Sequence, residues 1–375
     1  MIPFNVPPCV GDELDYVKQA IDSHKICGDG AFTKQCNAWL EERFHAQKVL
    51  LTTSGTTALD MAMLLCDIHP GDEVILPSFT FSSTATAAVL AGAKLVFVDI
   101  RPDTMNIDET KIEQAITDKT RVIIAMHYAG VACEMDTIMD IARRHDLKVV
   151  EDAAQGVMSS YKGKALGTIG DFGCYSFHET KNYSMGEGGA LVINNPAYNE
   201  RAEILREKGT NRAKFFRGQV DKYTWSILAT ATCPVTERRL SVGAAAPRRR
   251  DQRQPHGDLE RLPRCLPATG RRGQGRAAHH PGGLRAQRPH VLPEMQGSGG
   301  AHRADPPSEA NDILAVFHYI PLHSAPAGKK FGRFDGADVY TTAESERLVR
   351  LPMYYGLTEA DRNKVIAKVL EFYAQ

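Results

Sequence analysis

The chain has 375 residues, with 45 basic and 45 acidic side chains, so its net charge is near zero. This balance argues against nucleic acid or an anionic membrane surface as a partner. The eight cysteines lack paired spacing, which argues against a disulfide framework or a bound metal and is typical of a cytoplasmic protein. We expect neither a signal peptide nor a transmembrane segment.

Short β-branched runs alternate with helix-period stretches through the first 225 residues. The runs read DEVILPS, AKLVFVDI, RVIIAMHY, LKVVEDAAQ and GALVINN. This alternation predicts an α/β fold with a mostly parallel central sheet and helices on both faces. Because ligands bind beyond the carboxyl ends of parallel strands, the residues that follow these runs are the candidates for a functional site.

The earliest candidate segment reads LTTSGTTAL, in which a strand ending near Leu51 is followed by small residues and a helix. Small residues let the backbone approach a ligand, and a helix N-terminus offers N–H groups to a phosphate. Gly55, Thr56 and Thr57 are therefore candidate phosphate-binding residues. The alternative interpretation is an ordinary serine or threonine N-cap.

Two further strand ends carry residues suited to a planar, nitrogen-containing cofactor. Phe81 in PSFTF could stack on a flat ring, although a core position is the alternative. Asp152 in VVEDAAQ could hold a proton on a heterocyclic nitrogen, although a local helix cap is the alternative. A nearby amide, Gln155, could donate to a phenolic oxygen of the same cofactor.

The last strand end carries Lys181, which follows an apolar run and precedes a glycine-rich turn. Partial desolvation would lower the pKa of this lysine and make its amine a nucleophile toward an aldehyde. Ser176, five residues earlier, could add a hydroxyl to the phosphate site. A phosphate cradle, a strand-end acid, a stacking ring and a reactive lysine together predict pyridoxal phosphate as the cofactor.

The motifs SGTTAL, PSFTF, EDAAQ and SFHETKN…GEGG resemble those of the DegT/StrS sugar-nucleotide aminotransferases, which are fold-type I pyridoxal phosphate enzymes. The resemblance extends over about 1–225 and 313–375. It implies that Lys181 bonds to the cofactor aldehyde, that Asp152 pairs with the ring nitrogen, and that Phe81 stacks on the ring. Gly55, Thr56, Thr57 and Ser176 would hold the phosphate.

The same resemblance implies the substrates and the assembly. The expected substrates are dTDP-4-keto-6-deoxy-D-glucose and L-glutamate, in a cytoplasmic step of surface-glycolipid synthesis, and the expected assembly is at least a homodimer. Five residues in HYAG and HYIPLH are candidate sugar contacts, with core packing as the alternative for each: His127, Tyr128, His318, Tyr319 and His323.

Besides another sugar-nucleotide aminotransferase of the same family, three other functions remain as alternatives. A sugar dehydratase of the same fold would need the lysine replaced, typically by histidine, and Lys181 argues against it. A nicotinamide oxidoreductase would need a GxGxxG turn after an early strand, which the sequence lacks. An inactive pseudo-enzyme is the third alternative, because the chain changes character after Trp225.

Residues 226–312 differ in composition from the rest of the chain. From Leu228 to Asp312 there is no Phe, Tyr, Ile, Trp or Lys, and ten of the chain's 20 prolines lie there. We therefore divide the chain into a large cofactor-binding domain (1–225), this anomalous stretch (226–312), and the remainder of a smaller C-terminal α+β domain (313–375). A basic disordered arm could have this composition, but the stretch lies inside an enzyme.

A shifted reading frame explains the anomalous stretch better, and it predicts irregular chain there. Residues 228–236 read LATATCPVT. With suitable third bases, a one-base shift of their codons gives Gly-Asn-Ser-Tyr-Leu-Pro-Ser-Asp. That string resembles the G-x-x-Y-x-x-S-D pattern which the family shows at this point.

Overall fold

A computed structural model describes residues 1–229, 284–285 and 312–374. Within these residues the helices are α1 Glu13–Asp22, α2 Ala31–Phe44, α3 Gly55–Leu65, α4 Ser82–Leu90, α5 Ile112–Ala115, α6 Met135–Arg144, α7 Asn199–Arg206, α8 Arg212–Phe216, α9 Pro326–Phe331, α10 Thr341–Arg347 and α11 Glu359–Ala374. The strands are β1 Lys48–Thr52, β2 Glu73–Pro77, β3 Lys94–Val98, β4 Thr120–Met126, β5 Lys148–Asp152, β6 Ser160–Tyr161, β7 Lys164–Ala165, β8 Phe172–Ser176, β9 Gly189–Ile193, β10 Leu284–Arg285 and β11 Gly332–Phe334.

The central sheet has eight strands in the order β1-β9-β8-β5-β4-β2-β3-β11. Strands β8, β5, β4, β2, β3 and β11 are parallel, and only β9 runs against its neighbours β8 and β1. The predicted mostly parallel sheet is therefore confirmed. A small second sheet has the order β10-β6-β7.

Helices cover both faces of the sheet, as the strand pattern predicts. Along β1, Val49 and Leu51 pack in one buried cluster with Leu40 of α2, whereas Leu50 packs in the other with Met61 of α3. Because successive side chains of a strand point to opposite faces, continuous apolar runs are what a sheet covered on both faces requires.

The C-terminal residues are joined to the large sheet. Strand β11 pairs in parallel with β3, so residues assigned from the sequence to a smaller domain extend the central sheet. Asp99, just after β3, accepts hydrogen bonds from three consecutive backbone N–H groups. The distances are 3.0 Å from Val339, 3.0 Å from Tyr340 and 2.8 Å from Thr341. This carboxylate therefore caps the start of α10.

Most of the anomalous stretch 226–312 lies outside the described residues, which include only 226–229, 284–285 and 312 of it. The expectation of irregular chain and the shifted-frame interpretation therefore remain predictions. Among the helices that the structure describes, none combines the length and apolar character needed to cross a bilayer.

Candidate active site

Lys181 lies in the turn that connects β8 to β9. Its backbone N–H donates to the carbonyl of His178 at 2.9 Å, and Phe177 and Met185 pair across the turn. The lysine side chain is half-buried and borders a cleft that is open to solvent. The volume of the cleft, counted together with the solvent at its mouth, is about 310 Å³. Other residues that line this cleft are Ala154, Gln155, Val157, Ser176, Thr180, Asn182 and Tyr183.

The environment of Lys181 weakens its hold on a proton. Its pKa is lowered from 10.5 to about 8, chiefly because the amine is buried; the carboxylate of Asp152 acts to raise this pKa and Arg350 acts to lower it. The amine is therefore partly neutral near neutral pH, as a nucleophile or proton carrier requires.

Asp152 ends β5 at the same sheet edge as the lysine turn. Strand β5 pairs in parallel with β8, with Asp152 opposite Cys174, two residues before Ser176. The carboxylate is 5% exposed. Its Oδ2 accepts the hydroxyl of Thr84 at 2.6 Å, and its Oδ1 accepts the N–H of Ala154 at 3.2 Å. These bonds hold a buried carboxylate close enough to act on the charge of Lys181, as a partner for a protonated ring nitrogen requires.

The N-terminus of α3 lies against the end of β8. A Cβ on Gly55 would come within 2.9 Å of the Cβ of Ser176, so only glycine permits this approach. Ser54 and Thr57 form a reciprocal capping box, in which each side chain accepts the other residue's N–H, at 3.1 and 3.0 Å. The arrangement fits a phosphate, because N–H groups and hydroxyls converge at the positive end of an 11-residue helix.

A second helix N-terminus adjoins the first. The hydroxyls of Thr56 in α3 and Ser83 in α4 are 2.8 Å apart, so the two helices begin side by side. Phe81 precedes α4, and 58% of it is exposed, an unusual fraction for so large an apolar side chain. Its ring centroid is 6.2 Å from that of Tyr319. A planar cofactor stacked on Phe81 would cover this ring.

Gln155 borders the cleft. Its side-chain oxygen accepts the backbone N–H of Ala129 at 2.8 Å. That bond fixes the amide orientation, so the amide nitrogen is the atom that can donate to a cofactor oxygen.

Three of the five candidate sugar contacts cluster together. The hydroxyl of Tyr128 is 2.9 Å from Nδ1 of His318, and the ring of Tyr319 packs at 6.2 Å from the ring of Tyr128. Burial raises the pKa of Tyr128 and that of Tyr319, so both phenols are protonated donors at any physiological pH. This cluster joins the end of β4 to the C-terminal segment.

A sugar contact at His127 does not fit the geometry. The side chain is fully buried, and its Nδ1 accepts the N–H of Cys133 at 3.1 Å. Its Nε2 lies 3.0 Å from the carboxylate of Glu151, to which it donates. Both ring nitrogens are therefore used inside the core, on the side of β5 away from Asp152, because adjacent strand residues face opposite ways.

A sugar contact at His323 does not fit either. Its Nδ1 is 2.7 Å from the hydroxyl of Ser78, and its Nε2 is 3.2 Å from a carboxylate oxygen of Asp338. The Ser78 hydroxyl also accepts the N–H of His323 at 3.0 Å. This histidine fastens the C-terminal segment to the end of β2.

The sequence gives little indication of the roles of two buried residues close to the site, Glu151 and Arg350. Glu151 is fully buried and accepts backbone N–H groups from Gly167, Ile169 and Gly170, each at 2.7 Å. Only its position inside an apolar run, directly before Asp152, could have indicated this role. Arg350 is 7% exposed, and its effect on Lys181 has no signal in the sequence.

The strand order, the helix N-termini and the lysine turn together define an α/β transferase of fold-type I. The profile of the DegT/DnrJ/EryC1/StrS aminotransferase family matches residues 9–240, and the chain belongs to this family. The chain is thus a sugar-nucleotide aminotransferase, and the prediction of pyridoxal phosphate as its cofactor is confirmed.

Relatives and solved structures agree with this assignment. The GDP-perosamine synthase of Caulobacter vibrioides is 31% identical over 96% of this chain and 95% of its own length. The GDP-perosamine synthase of Escherichia coli O157:H7 is 36% identical over 56% of this chain and 57% of its own length. The aminotransferase TlmJ from Streptoalloteichus hindustanus superimposes with a TM-score of 0.88 at 26% identity, covering 100% of this chain and 99% of that one. The PLP form of Spr1654 from Streptococcus pneumoniae, at 24% identity, shares the fold with a TM-score of 0.89 and covers 100% of this chain and 99% of that one.

Proposed function

We propose that this aminotransferase converts dTDP-4-keto-6-deoxy-D-glucose to dTDP-4-amino-4,6-dideoxy-D-galactose with L-glutamate as the amino donor. The reaction type is supported by the half-buried amine of Lys181, whose pKa burial lowers to about 8. The buried carboxylate of Asp152 lies close enough to act on the same amine. The substrate is supported by the motifs RPDTMNIDE, HYAGVACEMD and FFRGQVDKYTW. They resemble dTDP-4-amino-4,6-dideoxygalactose transaminase, which in enterobacteria feeds enterobacterial common antigen.

Lys181 would act as both covalent tether and proton carrier. Pyridoxal phosphate, when bound, supplies an electron sink for the negative charge that develops at the substrate carbon. The neutral amine of Lys181 takes the proton from the α-carbon of glutamate in the first half-reaction. It returns a proton to C4 of the sugar in the second, and a single lysine on one side of the substrate fixes the new stereocentre.

The other residues orient the cofactor. Asp152, held by Thr84 and Ala154, keeps the proton on the ring nitrogen, because an adjacent carboxylate raises the pKa of that nitrogen. Gly55, Thr56, Thr57 and Ser176 would hold the phosphate, Phe81 would stack on the ring and Gln155 would donate to its oxygen.

The partly exposed side chains of His318 and Tyr319, supported from beneath by the buried Tyr128, are the proposed sugar-recognition surface. The phenol and the imidazole share a hydrogen bond of 2.9 Å, so the pair can present one donor in a fixed direction. The partly exposed ring of Tyr319 suits the apolar face of a deoxysugar. Substitution His318→Ala should lower kcat/KM for the keto-sugar and leave the half-reaction with glutamate unchanged.

The decisive experiment compares nucleotide sugars. Purified protein loaded with pyridoxal phosphate is given L-glutamate and either the dTDP-4-keto-6-deoxy sugar or its GDP counterpart, and the amino sugar is identified by NMR. A dTDP product supports the proposal, whereas a preference for the GDP sugar, the class named in two relatives, would refute the substrate assignment. The absence of turnover with both would favour an inactive pseudo-enzyme.

The role of Lys181 is tested separately. Borohydride reduction of the loaded protein should place the cofactor label on Lys181, and Lys181→Ala and Lys181→Arg should abolish turnover. Neither replacement can both bond to the aldehyde and return the proton. Full activity in Lys181→Ala would overturn the assignment.

A further inference from the structure

The N-terminal residues 2–5, here called the N-terminal strap, connect two parts of the site that are distant in sequence. Ile2 is anchored on the C-terminal segment: its N–H donates to Asp312 at 2.6 Å and its carbonyl accepts from Leu314 at 3.0 Å. Its side chain is buried with Ile313 and Val365. These contacts fix the start of the strap on residues 312–314.

The strap then passes Arg350 and reaches the lysine turn. The guanidinium carbon of Arg350 lies 4.5 Å from the ring centroid of Phe4, within the range of a cation–π contact. The side-chain amide of Asn5 donates to the carbonyl of Glu179 at 3.2 Å, two residues before Lys181. Through Phe4 and Asn5, the N-terminal strap thus contacts both the buried arginine and the turn that carries the lysine.

Arg350 is placed to act on the site by its charge. It is 7% exposed, and its backbone exchanges two hydrogen bonds with Val316, at 2.8 and 3.1 Å, two residues before His318. Burial lowers the pKa of Arg350, while Tyr128 and Tyr319 act to raise it. A buried cation has a strong effect on neighbouring charges, because little water screens it.

We propose that Phe4 and Asn5 are positioning residues for Lys181: the Phe4 ring packs on the Arg350 guanidinium, and the Asn5 amide binds the carbonyl of Glu179 in the turn that carries the lysine. The inference rests on the proposed role of Lys181. It gives a function to the N-terminal strap, which none of the proposed cofactor or sugar contacts uses.

Two charged groups act on the pKa of Lys181 in opposite directions. Arg350 lowers its pKa and Asp152 raises it. On the lysine turn itself, His178 and Glu187 pair with each other at 3.5 Å. Releasing Arg350 from Phe4 should therefore let the arginine move toward solvent and raise the pKa of Lys181.

The experiment uses cofactor-free protein, with lysines labelled by reductive ¹³C-methylation and titrated by NMR. The Lys181 signal is identified by its loss in Lys181→Arg. Phe4→Leu keeps apolar volume but removes the aromatic face, and it should shift the Lys181 midpoint upward by on the order of half a pH unit. Phe4→Tyr keeps an aromatic face and should keep the wild-type midpoint. Val6 is exposed and directly follows the strap, so Val6→Ala should also leave the midpoint unchanged.

A double-mutant cycle tests whether Phe4 acts through Arg350. Arg350→Met should raise the midpoint, and Phe4→Leu added to it should produce no further shift. An unchanged midpoint in Phe4→Leu, or two shifts that simply add, would overturn the proposal. Circular dichroism confirms that each variant is folded.

Hydrogen exchange tests the contribution of Asn5 in the same cofactor-free protein. Asn5→Ala should speed amide exchange in the turn 177–188 by several-fold relative to Val6→Ala, because the bond to Glu179 is lost. Equal exchange in the two variants would show that Asn5 does not hold the turn. Neither readout depends on turnover, so a failed transamination assay would refute the proposed function without deciding this inference.

Discussion

Thr84 donates its hydroxyl to Oδ2 of Asp152 across 2.6 Å and thereby links helix α4 to the end of β5. The Thr84 hydroxyl oxygen is also 2.8 Å from that of Thr80, so one hydroxyl can donate to the next. All three side chains are buried. This short chain of hydrogen bonds fixes the orientation of the carboxylate proposed to face the cofactor nitrogen.

Thr84→Val tests that relationship, because valine keeps the shape of threonine and removes its hydroxyl. A buried carboxylate that loses one charge-assisted hydrogen bond should cost about 1.5–3 kcal/mol, seen as weaker cofactor binding and a lower melting temperature. Thr84→Ser retains the hydroxyl and serves as the control. Equal cofactor affinity in the valine and serine variants would contradict the proposed link.

The pKa of Lys181 predicts how cofactor capture depends on pH. Because that pKa is lowered from 10.5 to about 8, the neutral amine should reach half its maximum near pH 8. The rate at which cofactor-free protein forms the yellow complex with pyridoxal phosphate should rise with pH and level off above about 8. A rise that continues toward 10.5 would show that the amine is not desolvated.

Asp152→Asn should change that pH profile in a defined direction. The Asp152 carboxylate acts to raise the pKa of Lys181, so its neutralisation should move the midpoint of cofactor capture to lower pH. Turnover should nevertheless fall severely, because an amide cannot keep the ring nitrogen protonated. An unchanged midpoint would mean that Asp152 does not act on the lysine, and an upward movement would contradict the direction of its effect.

Gly55→Ala tests the close packing of α3 on β8. The added Cβ would meet the Cβ of Ser176 at 2.9 Å and its Cα at 3.3 Å, so the backbone must shift. We expect a loss of stability of about 1–3 kcal/mol and weaker cofactor binding. Adding Ser176→Gly should restore the melting temperature but not the cofactor affinity, since the hydroxyl is lost. An unchanged melting temperature in Gly55→Ala would contradict the packing.

Sedimentation tests the proposed homodimer. The end of α8 and the segment that follows it expose three large rings, with 69% of Phe216, 51% of Tyr223 and 74% of Trp225 accessible in the single chain. Such apolar exposure is typical of an interface. We expect at least a dimer, which Trp225→Asp should weaken. A monomer in an active preparation would refute this expectation.

Peptide mass mapping decides the nature of 226–312. If the written residues are translated, trypsin should release AAHHPGGLR, residues 277–285. Such a chain lacks the apolar residues to build a domain core there, and poor activity should follow despite an intact Lys181. Peptides from the alternative reading frame would instead show that only the written sequence is shifted and predict a normally active enzyme.

The sequence by itself determined the fold class and the candidate residues for the cofactor site. Apolar runs and helix-period stretches alternate, so the parallel sheet follows from local pattern alone. The carboxyl ends of parallel strands meet at one edge, so Gly55, Phe81, Asp152 and Lys181 could be grouped from their positions after those runs.

Only the tertiary structure decided which of the candidate histidines have both ring nitrogens occupied by other residues of the chain. His127 and Tyr128 are adjacent in HYAG, yet the structure turns the imidazole into the core toward Glu151 and the phenol toward His318. His323 meets Ser78, 245 positions away in the chain. Hydrogen-bond partners so distant in sequence leave no local pattern, because they depend on how the C-terminal segment packs against the sheet. For the same physical reason, the pairing of Phe4 with Arg350 became visible only in the folded chain.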